Sequence, residues 1–217
     1  MNPALIELII LAGIAVFLFL RLRSVLGTRE GFEKPRMQTK NDAPKRDFKV
    51  IDGGEDKDIT DNVEKNSKSA KALKNIKEKD ETFTVNEFLS GARSAYEWIL
   101  MSFEKNEIDD IRELLSEEVA EAFDSVVEER ISQGLTIEAE FIGVREMKLV
   151  DASYNSKTKT AEIAVSFIGE MTSVVKNSSG EIVEGDSKQI KRQKDTWTFS
   201  KDILSDSPNW ILVATGE

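Results

Sequence analysis

The sequence predicts an α+β fold in which a transmembrane helix and a flexible tether precede one folded domain. Residues 4–20 form an apolar run, residues 85–131 carry apolar side chains at helical spacing, and apolar and polar residues alternate after Gly134. A period near 3.6 indicates helices, and a period of two indicates strands with one wet face. Because the helical patterns come before the strand patterns, we expect an α+β domain rather than alternating α and β elements.

The apolar run at residues 4–20 is interrupted only by Glu7 and is followed at once by Arg21 and Arg23. About 17 residues make a helix of about 26 Å, close to the hydrocarbon thickness of about 30 Å. A secretory signal peptide carries its positive charges before the apolar run and a cleavage site after it, which is the opposite order. Residues 1–23 are therefore predicted to be an uncleaved anchor that contacts membrane lipid.

The flanking arginines of the anchor predict its orientation. Positively charged flanks stay on the cytoplasmic side, so Arg21 and Arg23 predict a single-pass protein whose C-terminal domain faces the cytoplasm. The predicted location is the bacterial inner membrane. The mitochondrial inner membrane, with the domain facing the matrix, is the less favoured alternative.

Residues 24–80 are rich in Gly, Lys, Asp, Asn and Ser, and we expect them to form a flexible polar tether. Within it, Leu73 and Ile76 mark one side of a lysine-rich patch at residues 63–76. The apolar side of this patch is thin, so a solvated, fraying helix is favoured over a helix on the membrane surface. The folded domain is predicted to span residues 81–217.

The domain is predicted to begin with a helix whose first residue is Val85. Thr84 followed by Glu87 is the pattern of a capping box, and Phe83 with Phe88 is the pattern of a hydrophobic staple. Phe88 is also the first member of an apolar stripe that repeats at helical spacing as far as residue 103. One face of this helix must therefore be covered by another element.

Two further helices are predicted before the sheet. The first spans residues 108–115, and Ser116 caps the second, whose first turn is acidic. Gly134 suits the left-handed position just beyond the end of that helix.

Strand patterns occupy the rest of the chain. They cover residues 135–141, 147–154, 161–175, 188–200 and 210–214, with Gly169 predicted as a bulge or bend. A curved antiparallel sheet wrapped around the helices, as a half-open cone, buries both sets of apolar faces most simply.

The composition excludes several kinds of chemistry. The chain contains no Cys and no His, which excludes disulfides, thiolate metal sites and imidazole acid/base catalysis. Residues 81–217 hold 14 Lys and Arg against 27 Asp and Glu, so direct DNA binding by the domain is not expected. No motif for a metal or another cofactor is recognisable, and we predict neither.

Five short segments, in their order and spacing, carry a resemblance to a known family. They are Phe88-Leu89-Ser90-Gly91-Ala92, Phe103-Glu104-Lys105-Asn106-Glu107, Leu114-Leu115-Ser116, Trp197-Thr198-Phe199-Ser200 and Pro208-Asn209-Trp210-Ile211-Leu212-Val213. Over about residues 83–215 the chain resembles the family of the forty-four-kilodalton subunit of the mitochondrial inner-membrane translocase (Tim), and in particular its membrane-anchored branch in alphaproteobacteria.

This resemblance implies a cone-shaped domain of the nuclear-transport-factor-two type, with helices packed in a curved antiparallel sheet. It also implies an adaptor rather than an enzyme. The expected function is a membrane-tethered adaptor that binds client proteins or translocation and assembly components at the inner membrane, and so assists protein translocation or membrane-protein assembly. The mitochondrial member docks a heat-shock chaperone, a partner that we assign to no residue of this chain.

Four aromatic residues are predicted to line a pocket in the cone: Phe141, Phe167, Trp197 and Trp210. Aromatic residues at strand spacing also serve simply as core, which is the alternative for each of them. Such a pocket would hold an acyl chain or an apolar peptide segment.

Two alternatives to the adaptor remain. One is a ribosome-associated adaptor for membrane insertion, whose RNA contacts would come from tether lysines. The less favoured one is a cone-fold enzyme acting on a small apolar substrate, which would need an inward-facing carboxylate. Because Glu138, Glu140 and Glu162 alternate with apolar residues, we expect them on the outer face of the sheet and predict no catalytic residue.

Overall fold

The computed structural model describes residues 56–205 and 207–216. The helices are α1 (Lys57–Thr60), α2 (Lys68–Lys79), α3 (Val85–Glu104) and α4 (Glu117–Ser132), with a 3-10 helix at Ile108–Leu114 between the last two. The strands are β1 (Thr136–Asn155), β2 (Thr160–Lys176), β3 (Ile182–Asp202) and β4 (Ile211–Gly216).

The predicted anchor at residues 1–23, with Arg21 and Arg23, lies outside the described residues, as does the predicted tether up to residue 55. Within residues 56–205 and 207–216, every helix is too short or too polar to cross a membrane.

The four strands form one antiparallel sheet in the order β1-β2-β3-β4. Three register irregularities in β1, after Phe141, Val144 and Leu149, place extra residues opposite β2. Such bulges bend a strand and increase its twist, which curves the sheet. The predicted α+β class with a curved antiparallel sheet is therefore confirmed, although the strands predicted at residues 135–141 and 147–154 are one long bulged strand.

Helix α3 begins at Val85, as its capping pattern predicts. The backbone N–H of Glu87 donates to the Thr84 hydroxyl at 3.1 Å, and the rings of Phe83 and Phe88 lie 6.3 Å apart. Ser116 caps α4 by accepting the N–H of Val119 at 3.3 Å.

Gly134 and Gly169 each have a specific structural role. Gly134 has a φ of 65°, the left-handed conformation expected after α4. Of the bulge or bend predicted at Gly169, the bulge is wrong, because the extra residues at this level lie in the opposing strand β1, and the bend stays a prediction. Gly169 instead allows a close approach, since a Cβ atom there would lie 2.6 Å from the Tyr96 hydroxyl.

The folded domain begins well before the boundary predicted at residue 81, and the assignment of residues 56–80 to a flexible tether is wrong. Leu73 and Ile76 on α2 are completely buried, and Ile59 on α1 is 5% exposed. These side chains belong to the same apolar core as those of α3 and the sheet. The lysine-rich patch is therefore a docked helix, neither fraying nor free for a membrane surface.

Polar contacts fix α2 against β1. The Ser69 hydroxyl donates to the Asp151 carboxylate at 2.7 Å and accepts the N–H of Ala152 at 3.2 Å. The thin apolar face of α2 is sufficient because these hydrogen bonds satisfy the polar groups that docking buries. The sequence pattern shows the thin face but does not show the strand that covers it.

Asp58 joins the beginning of the folded chain to the N-terminus of α3. Its carboxylate accepts the N–H groups of Val85 at 2.8 Å and Asn86 at 3.0 Å. Lys77 on α2 lies 2.9 Å from Asp58 and 2.7 Å from Asp56. Burial raises the pKa of the Asp58 carboxyl, but the hydrogen bonds from Val85, Lys77 and Asn86 outweigh burial and lower the pKa below its usual value.

We expect Leu73→Ala to reduce the free energy of unfolding by about 2–5 kcal/mol, because it leaves a cavity in the core beside α2. The exposed neighbour Lys74 provides the control, and Lys74→Ala should change the free energy by less than about 0.5 kcal/mol. Urea denaturation of the full chain in a non-ionic detergent measures both values. Equal, small effects would show that α2 does not belong to the core.

We expect Asp58→Ala to cost about 1–2 kcal/mol at neutral pH, because it removes an anionic cap from α3. The folded-state pKa of Asp58 is depressed, so its stabilisation is complete above the unfolded-state pKa and is lost as the pH falls through the folded-state pKa. The difference from wild type should therefore shrink in acid below the usual aspartate pKa of about 3.9. A difference that stays constant down to pH 2 would contradict the assignment; exposed Asp61, as Asp61→Ala, is the matched control.

Candidate binding site

An open cavity of about 360 Å³ lies beside the first half of α3. We call it the α3 cavity. Its walls come from the segment before α3, from α3 itself, from the end of the 3-10 helix, from the end of β3 and from the loop before β4. The lining residues are Asp80, Thr82, Phe83, Thr84, Glu87, Phe88, Gly91, Ala92, Ala95, Leu114, Phe199, Lys201, Pro208, Asn209 and Trp210.

Aromatic rings form the apolar part of the cavity wall. Phe88 lies at its centre, with its ring 4.8 Å from that of Trp210 and 6.1 Å from that of Phe199, both edge-on. Phe83 approaches Trp210 at 5.9 Å. Tilted and edge-on pairs of this kind are the favourable aromatic geometries, so the wall is held in a defined shape.

Gly91 leaves space on the helix wall of the cavity. A Cβ atom at this position would have no heavy atom within 4 Å. Glycine inside a helix costs about 0.5–1 kcal/mol relative to alanine. No close packing requires glycine at this position. The absence of a side chain at Gly91 therefore leaves open volume in front of α3.

The rim of the α3 cavity is polar and carries both signs of charge. Lys201 lies 3.5 Å from the Asp80 carboxylate, which also accepts the Thr82 hydroxyl at 2.6 Å and the Thr82 N–H at 3.0 Å. The Thr82 hydroxyl is the main cause of a lowered pKa at Asp80, and Lys201 adds to it against the opposing effect of burial. Asp80 therefore stays ionised at neutral pH, and Glu87 adds a second carboxylate to the rim.

The four aromatic residues predicted to line a pocket divide into two groups. Trp210 lines the α3 cavity. Phe141, Phe167 and Trp197 do not, because they pack around Tyr96 of α3 with ring separations of 6.2, 4.4 and 4.7 Å. Phe167 and Trp197 are buried and Phe141 is half-buried, so all three serve as core.

Sequence reasoning missed Phe83, Phe88, Gly91 and Phe199 as cavity residues. The staple pattern had already placed Phe83 and Phe88 together at the start of α3, which was the available signal. The position of Phe199 opposite them depends on which part of the sheet the helix crosses, and this is a tertiary property.

A buried carboxylate lies deeper in the domain, away from the α3 cavity. Asp195 accepts the Tyr96 hydroxyl at 2.6 Å and the side-chain amide of Gln193 at 3.0 Å. Burial, together with the neighbouring Asp195, raises the pKa of Tyr96 far above its usual range. Neither Asp195 nor Tyr96 lines the cavity, and Glu138, Glu140 and Glu162 are exposed, as their alternation predicts.

Residues 69–217 match the model of the Tim44-like domain family. The chain belongs to this family. The match begins inside α2, which agrees with the packing of α2 in the core of the Tim44-like domain. The family resemblance inferred from the short segments is therefore confirmed, and the family associates the domain with adaptor roles in protein translocation in general.

Comparisons with curated proteins and with solved structures give no further indication of function. No curated protein sequence matches the chain. The domain is similar to the crystal structure of the intermembrane space region of the chloroplast protein ARC6, at 10% sequence identity and a TM-score of 0.41, covering 59% of this chain and 94% of that one. A likeness at this level supports no argument about function.

We expect Tyr96→Phe to lower the free energy of unfolding by about 1–3 kcal/mol, because it leaves the buried Asp195 carboxylate without its closest donor. Tyr154 is half-buried and its hydroxyl makes no hydrogen bond within the described residues, so Tyr154→Phe should cost less than about 0.5 kcal/mol. Urea denaturation compares the two variants. Similar effects would show that the Tyr96 hydrogen bond does not stabilise the domain.

Proposed function

We propose that the protein is a membrane-tethered adaptor that binds proteins at a bacterial inner membrane and assists protein translocation or membrane-protein assembly. The observation that carries the proposal is the open α3 cavity, where the half-buried ring of Trp210 lies beside a polar rim and packs on the buried rings of Phe83 and Phe88. Membership of the Tim44-like family supports an adaptor role in general.

The chemistry of the α3 cavity favours an apolar peptide side chain as its occupant. A volume of about 360 Å³ is at the small end of ligand pockets, which span about 300–1,000 Å³. Buried aromatic anchors dominate the energy of protein interfaces, and a polar rim satisfies the backbone of the bound segment. Asp80, Glu87 and Asn209 on the rim offer acceptors for the N–H groups of such a segment.

We propose further that the domain is not an enzyme. Asp195, the buried carboxylate, is engaged by Tyr96 and Gln193 and lies off the cavity. Asp80 does line the cavity, but its lowered pKa keeps it ionised and makes it a poor general acid. Both observations favour binding over proton transfer.

The anchor at residues 1–23, with Arg21 and Arg23 on the cytoplasmic side, is part of this proposal. A tether of about 30 residues that ends near Asp56 would hold the domain close to the membrane and raise its effective concentration near membrane partners. The folded unit includes α2, so a chain without the anchor must begin near Asp52, not near Lys79.

We expect Gly91→Leu to reduce crosslinking of the full chain to its protein partners about tenfold, because the leucine side chain fills the α3 cavity. Gly91→Ala is the matched control and should retain most of the crosslinking, since a methyl group leaves most of the volume free. The assay is chemical crosslinking in intact membranes followed by identification of the partners. Both variants should unfold at urea concentrations equal to or above that of wild type, because leucine and alanine favour the helix.

Two results would contradict the proposal. Unchanged crosslinking of Gly91→Leu would show that the cavity is not the binding site. Equal recovery of the same partners by a chain that begins at Asp52 would show that tethering does not contribute.

A further inference from the structure

Within the part of the chain that the structure describes, one side of strand β3 is unpaired beyond Gly216 of β4. β4 pairs only with residues 196–200 of β3, and Gly216 of β4 lies opposite Thr196. Within residues 56–205 and 207–216, no strand pairs with residues 182–195 on this side. The backbone N–H and C=O groups along such an edge are available to an added strand.

Residues 191–195 are the regularly paired part of this edge next to β4, and we call them the basic edge. Each of them pairs with a residue of β2 in continuous register, from Met171 opposite Lys191 to Phe167 opposite Asp195. At about 3.4 Å per residue they offer about 17 Å of continuously paired edge, which continues the line of β4.

An irregularity limits the length of the edge. Met171 pairs with Lys191 and Ser173 pairs with Asp186, so residues 187–190 all lie opposite Thr172. These extra residues in β3 form a bulge that ends the regular pairing. Bulges are a common protection against uncontrolled association between sheet edges. The basic edge therefore suits a short strand of about five residues.

The charge of the edge selects among occupants. The basic edge contains Lys191, Arg192 and Lys194 and one acidic residue, Asp195, whose buried carboxylate is engaged by Tyr96 and Gln193. Lys191 lies 3.7 Å from Glu184 and Arg192 lies 2.9 Å from Glu170, whereas Lys194 makes no ion pair within the described residues. An acidic strand would place carboxylates beside these lysines, and opposite charges on neighbouring strands attract.

Two other occupants are disfavoured by the same observations. A second copy paired through this edge would bring like charges together, which destabilises adjacent strands. Hydrocarbon of a membrane would leave the open backbone N–H and C=O groups unsatisfied, which is costly in lipid.

We propose that the basic edge binds an extended acidic segment of a partner protein, which adds to the sheet as a short strand in line with β4. This surface is distinct from the α3 cavity, and the proposal does not depend on the cavity binding a protein.

The test uses the full chain in a non-ionic detergent and a dye-labelled ten-residue peptide in which pairs of glutamates alternate with pairs of valines, so that an extended peptide carries glutamates on both faces. Fluorescence anisotropy measures its affinity. We expect the double variant Lys191→Gln with Lys194→Gln to bind about tenfold more weakly, because two attractive charges are lost. The matched control, Lys148→Gln with Lys157→Gln, removes two exposed lysines elsewhere and should change the affinity less than about twofold.

Backbone pairing has its own readout. A peptide of the same sequence with alternate amide nitrogens methylated should lose binding about tenfold, because it cannot complete the strand ladder. Bound unmethylated peptide should slow hydrogen exchange of amides in residues 191–195 and leave those of the opposite sheet edge, β1, unchanged.

Three results would overturn the proposal. Equal binding of the methylated peptide would show attraction by charge alone. Protection of β1 amides instead of residues 191–195 would place the peptide at the other edge of the sheet. A dimer by sedimentation, or displacement of the peptide by anionic phospholipid vesicles with loss of protection at residues 191–195, would assign the edge to a second copy or to a lipid surface.

Discussion

The packing of Tyr96 into the concave face of the sheet determines the position of helix α3, and the site depends on that position. The Tyr96 ring stacks on Phe167 at 4.4 Å, and its hydroxyl reaches Asp195 across Gly169, where any side chain would collide with it. A buried hydrogen bond between a helix and β3 fixes both the depth and the rotation of the helix. The first turns of α3 are thereby held beside Phe199 and Trp210, which is how the α3 cavity arises.

The N-terminal segment of the domain also fixes the first turn of α3. Asp58 caps the helix, Lys77 of α2 pairs with Asp58, and the buried face of α2 packs on β1. Residues 56–80 are therefore a structural part of the Tim44-like domain.

The two candidate surfaces differ in the chemistry they offer. The α3 cavity presents the half-buried ring of Trp210, next to the buried rings of Phe83 and Phe88, within a rim of mixed charge. The basic edge presents backbone hydrogen-bonding groups and lysines. An adaptor benefits from two unlike surfaces, because each can hold a different segment and the pair raises the effective concentration of one near the other.

The sequence by itself determined that helices precede the strands, the first residue of α3, the caps of α3 and α4, and the outward position of Glu138, Glu140 and Glu162. These properties follow from local spacing and from hydrogen bonds between residues close in the chain. Only the tertiary structure decided that α2 belongs to the core, that Phe141, Phe167 and Trp197 surround Tyr96, and that Phe88 meets Phe199 and Trp210. Each of these depends on which strand crosses which helix, and local periodicity carries no information about that contact.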